Sequence, residues 1–326
     1  MRIVAGDIGG TKTVLAIFDQ NMRAIREQAF PCADFPSLEA VLDAFLRDRD
    51  HEALVGACFG VAGPVVDGVA KITNLPWVID TAKLSAKLGG LPVKLLNDLQ
   101  STALGTLALP PESFATLQPA AKPDPHGTIA VIAPGTGLGE ATLIWDDERY
   151  IALPSEGGHS DFAPTTDEEI ELLHYLRTLY GNHVSYERVL SGDGIGDLYD
   201  FVRAQSGTKE PTWLAAEFAT GDRNAAISGA ALANKDPACV RALEMFAEIL
   251  GAEAGNLALR NVASGGVVIG GGIPPKILPA LQSGALVKRF NDKGRFSSWT
   301  HTLGVRVLLE PRAALLGAAH FVATSK

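Results

Sequence analysis

The side chains with the means for chemistry in this 326-residue chain are a few carboxylates at the ends of apolar runs, and beside them stand tight clusters of glycine. Asp7 sits within Gly6-Asp7-Ile8-Gly9-Gly10-Thr11. A turn of successive N–H groups around Gly9, Gly10 and Thr11 can wrap phosphate oxygens while the carboxylate faces a divalent cation, although alone such a loop is equally an ordinary tight turn. It is not a Walker loop, because Lys12 follows Thr11 rather than glycine. The second cluster, Gly135-Thr136-Gly137-Leu138-Gly139, is not a dinucleotide fingerprint, since Glu140 stands where the third glycine would have to be. Asn97-Asp98 lies where a buried run hands over to a helix. Both residue types cap helices well, and the C-terminal end of a strand is also where open α/β sheets place catalytic groups. Glu156-Gly-Gly-His159 joins an acid to an imidazole without the further cysteines or histidine of a metal cluster, so hydrogen bonding is expected of it rather than ligation. Ser185-Tyr-Glu187-Arg188 reads by itself as a capped helix start with an acid in its first turn.

Elements of an α/β chain must position these groups. Ile3-Val4-Ala5 and Val14 to Phe18 flank the first glycine turn, residues 6–13, as strands of a hairpin. Ile129 to Ala133 and Ala141 to Trp145 flank the second in the same way, and Val4, Gly10 and Asp19 fall on Val131, Gly137 and Asp146 when the two are overlaid. That weak repeat predicts two domains, each opening with a glycine-cornered hairpin. Between them, Ser37 caps a helix whose face carries Leu38, Val41, Leu42, Phe45 and Leu46. Leu54 to Phe59 and Val93 to Leu96 read as strands, with a turn at Gly60-Val-Ala-Gly-Pro64. Five prolines between Pro110 and Gly127 mark the crossing between domains. Thr166-Asp-Glu-Glu169 is a capping box for a helix through Ile170, Leu173, Leu176 and Leu179, stopped by Gly181. Asp236-Pro237 starts a long helix to about Arg260, Gly266 to Gly270 is a short buried strand ending in Gly271-Gly272, and Arg312 to Ala323 is an apolar closing helix.

Composition narrows the function classes. Hydrophobic residues are 47% and charged residues 20% of the chain, which excludes a disordered protein. The net charge of -9 argues against a non-specific nucleic-acid or anionic-membrane binder, so phosphate would have to be met by backbone N–H groups and a metal ion. Cys32, Cys58 and Cys239 are too far apart for a disulfide framework or a clustered zinc site, as suits a reducing cytoplasm. Asp7 interrupts the N-terminal apolar stretch too early for a secretory signal, and there is no apolar run long enough to span a membrane, so a soluble, unexported protein is expected.

Taken together, the segments resemble the ATP-dependent bacterial glucokinase family over nearly the whole chain and in family order. The matching stretches are Gly6 to Thr11, Thr73-Asn-x-Pro-Trp77, Asn97-Asp98, Gly135 to Gly139, Glu156-Gly-Gly-His-x-Asp-Phe-Ala-Pro164, Glu187-Arg-Val-Leu-Ser-Gly192, Asn256-Leu-Ala258, Gly270-Gly-Gly-Ile273, Lys293-Gly-Arg-Phe296 and Leu315-Leu-Gly317. The resemblance implies a two-domain hexokinase/actin-like (ribonuclease H-like) α/β fold with an interdomain cleft. Its small domain would be 1–110 joined by the C-terminal helix 312–326, and its large domain 111–311. It further implies phosphorylation of the 6-hydroxyl of D-glucose by ATP, feeding glycolysis, in a cytoplasmic homodimer. Asp98 would be the catalytic base; Asn97, Asp98, Glu156, His159 and Glu187 would hold the sugar. Gly6, Asp7, Ile8, Gly9, Gly10, Thr11, Gly135, Thr136, Gly137, Gly270, Gly271 and Gly272 would meet the nucleotide, and Asp7 would reach Mg²⁺ directly or through water.

Three positions depart from the family pattern: Arg312 follows Pro311 where glycine is usual, Asp193 stands where proline is common, and Glu140 replaces an apolar residue after the second hairpin. Related sugar kinases and repressors with a cysteine-rich zinc motif match less well, as no cysteine lies between 58 and 239. Two alternatives remain from the residues: a kinase for another hexose or amino sugar on the same scaffold, since pocket shape decides a single substituent, and a non-catalytic nucleotide- or sugar-binding switch. Against a DNA-binding switch stand the charge and a phosphate hairpin that begins within the first ten residues.

Overall fold

A computed structural model describes residues 2–46, 54–72 and 75–325. Thr73 and Asn74 of the Thr73–Trp77 stretch lie outside the described residues. The chain divides into two compact units: Met1–Ser113 with Ala141–Pro154 and Glu310–Lys326, and Phe114–Glu140 with Ser155–Leu309.

The first unit opens with β1 (Arg2–Ile8), β2 (Lys12–Asp19), β3 (Ala24–Pro31), α1 (Leu38–Phe45), β4 (Leu54–Val61), β5 (Val65–Val66), β6 (Val69–Lys71), β7 (Val78–Asp80), α2 (Thr81–Lys87), β8 (Val93–Asn97) and α3 (Asp98–Gly105). Its main sheet has the order β3-β2-β1-β4-β8, with β4 parallel to both β1 and β8. The hairpin turn is shorter than expected. Gly6, Asp7 and Ile8 pair with Leu15, Val14 and Thr13, so they belong to β1, and the turn is only Gly9 to Thr11. Likewise Ile8 pairs with Val61, so the ladder keeps Gly60 and Val61 in β4 and the next turn starts at Ala62.

α1 begins as expected, with Ala40 N donating to Ser37 Oγ, and buries Leu38, Val41, Leu42 and Phe45. Leu46, expected on the same face, is instead the extended C-cap and only half-buried. These side chains pack with Val4, Ile8, Leu15 and Ile17 in the core of the unit.

The chain continues through β9 (Phe114–Gln118), β10 (Ile129–Pro134), β11 (Leu138–Trp145), β12 (Tyr150–Ser155), α4 (Asp167–Tyr180), α5 (Gly192–Ser206), α6 (Thr212–Thr220), α7 (Arg223–Leu232) and α8 (Pro237–Asn261). There follow β13 (Gly266–Ile269), α9 (Leu278–Leu281), α10 (Ala285–Asn291), α11 (Ser297–Thr300), β14 (Val305–Leu308) and α12 (Ala313–Thr324). The strand order of the second large sheet is β12-β11-β10-β13-β14-β9, β10, β13 and β14 being parallel. The capping box at Thr166 and Glu169 is made on both sides, and Gly181 ends α4 at φ 79°. In α4 the buried residues are Glu169, Leu172 and Leu176, while Ile170 and Leu179 are exposed, because a spacing of three drifts across a helix with 3.6 residues per turn. α8 is apolar nearly all round and runs through the core of the second unit, with Phe246, Ile249 and Leu250 fully buried.

α12 returns to the first unit and packs on α3, β1 and β4. The crossing with α3 is close: a Cβ on Gly317 would lie 1.7 Å from Ser101 O, and Ser101 Oγ donates to Ala314 O across it at 2.8 Å. α12 thereby fixes the helix that starts at Asp98. Among the described residues no helix is long and apolar enough to cross a membrane, and Cys32, Cys58 and Cys239 are free and buried.

Candidate active site

In the first unit the register brings two acids to one end of the sheet. Asp7 lies opposite Gly60 and Asn97 opposite Val61, on either side of β4, so Asp7 and the start of α3 share the C-terminal edge. Asn97 is the N-cap of α3: its Oδ1 accepts from Gln100 N at 2.6 Å, and Gln100 Oε1 accepts from Asn97 N at 3.2 Å. Gln100 Nε2 also donates to Ala152 O at 2.8 Å, which fixes the capping side chain itself. Asp98, exposed in the first turn, accepts from Leu99 N at 2.8 Å, and the positive end of the helix dipole favours a negative charge there. Burial together with the neighbouring Asp98 charge pushes the Asp7 carboxyl up to about 6, against the pull of Lys12.

The turn after Asp7 does less than its sequence promised. Gly9 N donates to Lys12 O at 3.0 Å, so that amide closes the hairpin instead of facing a ligand. The amides of Gly10 and Thr11 make no hydrogen bond among the described residues, and Cys32 N ties the turn down through Thr11 O at 2.9 Å. Gly6 and Ile8 are buried strand residues, and the Ile8 side chain is wholly enclosed.

In the second unit Glu156, His159 and Glu187 converge. His159 Nε2 lies 3.9 Å from Glu156 Oε2, and His159 Nδ1 lies 3.8 Å from Glu187 Oε1. Glu187 stands in the one-turn 3-10 helix Tyr186–Arg188. Ser185 makes no side-chain cap there, and Glu187 turns away from the helix to accept from Leu138 N at 3.0 Å, so the capped-start reading is corrected. Two glycines make the approach possible: a Cβ on Gly137 would lie 2.4 Å from Glu187 Oε2, and one on Gly158 would lie 2.0 Å from Leu138 O. His183 clamps the His159 turn from behind, with Nδ1 2.9 Å from Asp161 Oδ1 and Nε2 3.1 Å from His159 O.

The remaining glycines gather at the ends of β10 and β13. Gly135 N donates to Gly137 O at 2.8 Å, and Gly135 O accepts from Gly192 N, the first residue of α5, at 2.9 Å. Thr136 lies between the two glycines of that turn. Gly270 N donates to Ile132 O at 2.8 Å, Gly271 adopts φ +87°, and a Cβ on Gly272 would meet nothing within 4 Å.

The sequence did not reveal what stands behind the Glu156–His159 turn. Glu140 and Glu253, 1% and 0% exposed, meet there with Arg260, Asn256 and Tyr186. Glu253 reads in sequence as one more helix charge, and only the polar Glu140 straight after a glycine hairpin could have signalled the cluster.

The glucokinase family model matches residues 4–325. A glucokinase of Nostoc punctiforme is 39% identical over 333 residues, covering 97% of this chain and 97% of that protein. The crystal structure of a glucokinase from an Antarctic psychrotroph superimposes with a TM-score of 0.88 at 33% identity, covering 99% of each chain. A ROK family glucokinase from Streptomyces griseus, solved with glucose and AMPPNP, shares the fold at a TM-score of 0.63 and 22% identity, over 98% of this chain and 99% of that one. With a family match from end to end and a relative of that identity over nearly its full length, the chain belongs to the glucokinase family and has its two-domain, hexokinase-like α/β fold.

Proposed function

We propose that this glucokinase transfers the γ-phosphoryl group of ATP to the 6-hydroxyl of D-glucose with Asp98 as general base, giving glucose 6-phosphate and ADP. Phosphoryl transfer asks for alignment and charge neutralisation more than for covalent catalysis. Asp98 takes the proton of the 6-hydroxyl as its oxygen attacks phosphorus and the bond to the leaving ADP breaks. The Leu99 amide and the start of α3 hold the carboxylate for that step. Glu156, His159 and Glu187 bind the remaining hydroxyls, the carboxylates accepting and the imidazole donating or accepting, and Asn97 adds its amide N–H₂. The single observation that carries this assignment is the imidazole set between two carboxylates, 3.9 and 3.8 Å away, one of them docked on a backbone amide. Alternating donors and acceptors on a fixed turn suit a ring with adjacent hydroxyls.

The nucleotide is assigned to the glycine turns, with Gly10 and Thr11 in the first unit and Gly135 to Gly137 and Gly270 to Gly272 in the second. Asp7 suits a hard divalent cation: its carboxyl is strained upward by burial and by Asp98, a repulsion that such an ion relieves. Asp7 is the residue that would hold Mg²⁺ in a complex with ATP. The ion would supply neutralisation of the phosphate charge. Domain limits of 1–110 with 312–326, and 111–311, form part of the same proposal except that Ala141–Pro154 groups with the first unit, and a homodimeric state is proposed with them.

Release of ADP measured by a coupled assay with glucose, mannose, fructose and N-acetylglucosamine tests the substrate. A kcat/KM for glucose far above the others supports the assignment. A preference for N-acetylglucosamine, or no turnover with any of the four, overturns it.

A further inference from the structure

Two buried carboxylates lie behind the turn assigned to the sugar, and the mechanism above uses neither. Glu140 follows the second glycine hairpin in β11, and Glu253 projects from the middle of α8. Arg260 Nη2 bonds Glu253 Oε1 and stands 4.0 Å from Glu140 Oε2, so one guanidinium serves two acids. Asn256 Nδ2 donates to Glu253 Oε2 at 3.0 Å and also lies 3.2 Å from Tyr186 OH, the neighbour of Glu187. Glu140 Oε1 is buried with no hydrogen-bond partner among the described residues. On its other side the Glu140 carboxylate presses on the sugar turn: a Cβ on Gly157 would lie only 2.1 Å from Glu140 Oε2.

Two adjacent buried carboxylates that share one bonded guanidinium, with Lys293 the other cation near Glu253, are costly to ionise together, and a proton held between them relieves the excess charge. We propose that Glu140 and Glu253 share one proton and that this proton positions the Glu156–His159 turn, making Glu140 a positioning residue for glucose, an inference that rests on the sugar assignment of that turn. Through Glu140 the pair bears on Gly157, and through Asn256 and Tyr186 it reaches Glu187 from the other side. When the proton leaves, repulsion between the acids drives the Glu140 carboxylate toward Gly157, which offers no side chain against it.

Desolvation, then the Glu253 charge, push the Glu140 carboxyl upward, to about 7, against the pull of Arg260. The proton is therefore bound below that pH and lost above it. The charged and titratable groups around the pair are Arg260 on α8, Tyr186 before α5, Lys293 before α11, and Glu156 and His159 on the turn. Because every other ionisable group of the site is common to the proteins compared, the informative quantity is a ratio between two of them.

Glu140→Gln supplies a neutral N–H₂ group of the same shape, a permanent mimic of the protonated acid. The apparent Kd for glucose without nucleotide, and KM and kcat, are measured from pH 5.5 to 9 for the wild type and for Glu140→Gln, Glu140→Ala and Glu187→Ala. The ratio of wild-type to Glu140→Gln glucose Kd should stay near one at low pH and rise about tenfold by pH 9, the equivalent of one pKa unit of coupling. kcat at saturating glucose should differ by no more than about twofold at either end if only positioning is affected. Glu140→Ala, should it fold, loses the support at every pH and is rescued by Gln. A ratio that does not change with pH overturns the proposal while the sugar assignment stands, provided Glu187→Ala weakens glucose binding. Unchanged glucose binding in Glu187→Ala overturns the sugar assignment and this proposal with it.

Discussion

Gly137→Ala is a sharp test of how Glu187 is held, because the added methyl group meets only the far end of that side chain. The Cβ would lie 2.4 Å from Glu187 Oε2, against 3.4 Å where ordinary contact begins, so the carboxylate must retreat by about 1 Å. Its bond from Leu138 N, now 3.0 Å, then stretches to about 4 Å and is lost as a hydrogen bond. Gly137 is not among the glycines with positive φ, so alanine introduces no backbone strain of its own.

The bond at stake is charge-assisted, a class worth roughly 1.5–3 kcal/mol, and the Glu187 side chain is 29% exposed, which places it toward the lower end. If the retreat takes an equal contact from glucose, affinity falls about 10- to 100-fold, at 1.4 kcal/mol per decade. Calorimetric titration with glucose alone reads that change directly, and a coupled assay reads KM for glucose and for ATP separately. The expected outcome is a glucose Kd raised at least tenfold, a melting temperature lowered by no more than a few degrees, and an ATP KM within about threefold of the wild type. A glucose Kd within twofold of the wild type would show that the amide-docked position of Glu187 is not the one the sugar needs. A raised ATP KM with unchanged glucose affinity would assign Gly137 to phosphate binding alone.

Asp98→Asn keeps the shape of the helix start and removes the base, so turnover should fall on the order of 10² to 10⁴ while glucose still binds by calorimetry; near-normal turnover in the folded variant refutes the role. Chelation with excess EDTA should abolish phosphoryl transfer yet leave the thermal unfolding of the ligand-free protein in place, since the described residues hold no preformed metal cluster; a lowered melting temperature would reveal a structural ion. Gly158→Ala, unlike Gly137→Ala, meets backbone, with its Cβ 2.0 Å from Leu138 O, so it should lower the melting temperature by several degrees and remove glucose binding; a melt like the wild type's would contradict the packing of that turn.

Much of the scaffold could be read from the chain because local chemistry decides it. β-branched runs on both sides of glycine mark the two hairpins, Ser37 and Thr166 announce α1 and α4, and Asp236-Pro237 opens α8 at the right residue. The errors fall where long-range pairing overrides local signals. Gly6, Asp7 and Gly60 look like turn residues, yet a ladder shared by β1, β2 and β4 holds them in strands. Leu46 continues a helical spacing that the chain abandons for an extended C-cap. The residues proposed for the site stand in short motifs, but their contacts in the fold could not be read from those motifs. Nothing in the order of residues says that Glu187 leaves its own helix for Leu138 N, or that Gly137 and Gly158 lack side chains for the sake of that contact. Glu140, Glu253 and Arg260 come together only because β11 and α8 pack, and a helix charge such as Glu253 carries no sign of burial in its neighbours.

The charge balance of the site constrains how the two substrates can be recognised. The chain carries a net charge of -9, and the proposed catalytic and sugar residues add Asp7, Asp98, Glu156 and Glu187 on the faces assigned to ligands. A neutral sugar tolerates that, because carboxylates are strong acceptors for hydroxyl donors and cost nothing in repulsion against an uncharged ring. A nucleoside triphosphate does not. With Asp7 already repelled by Asp98, free ATP would bring further negative charge to that edge, where the glycine turns offer amide dipoles and Lys12 is the charge opposing the two acids. The two affinities should therefore part company on removal of the cation: glucose binding, built from Glu156, His159 and Glu187, persists, while ATP binding collapses. The acids proposed to hold the sugar and take its proton would thus also select the metal-bound nucleotide over the free one.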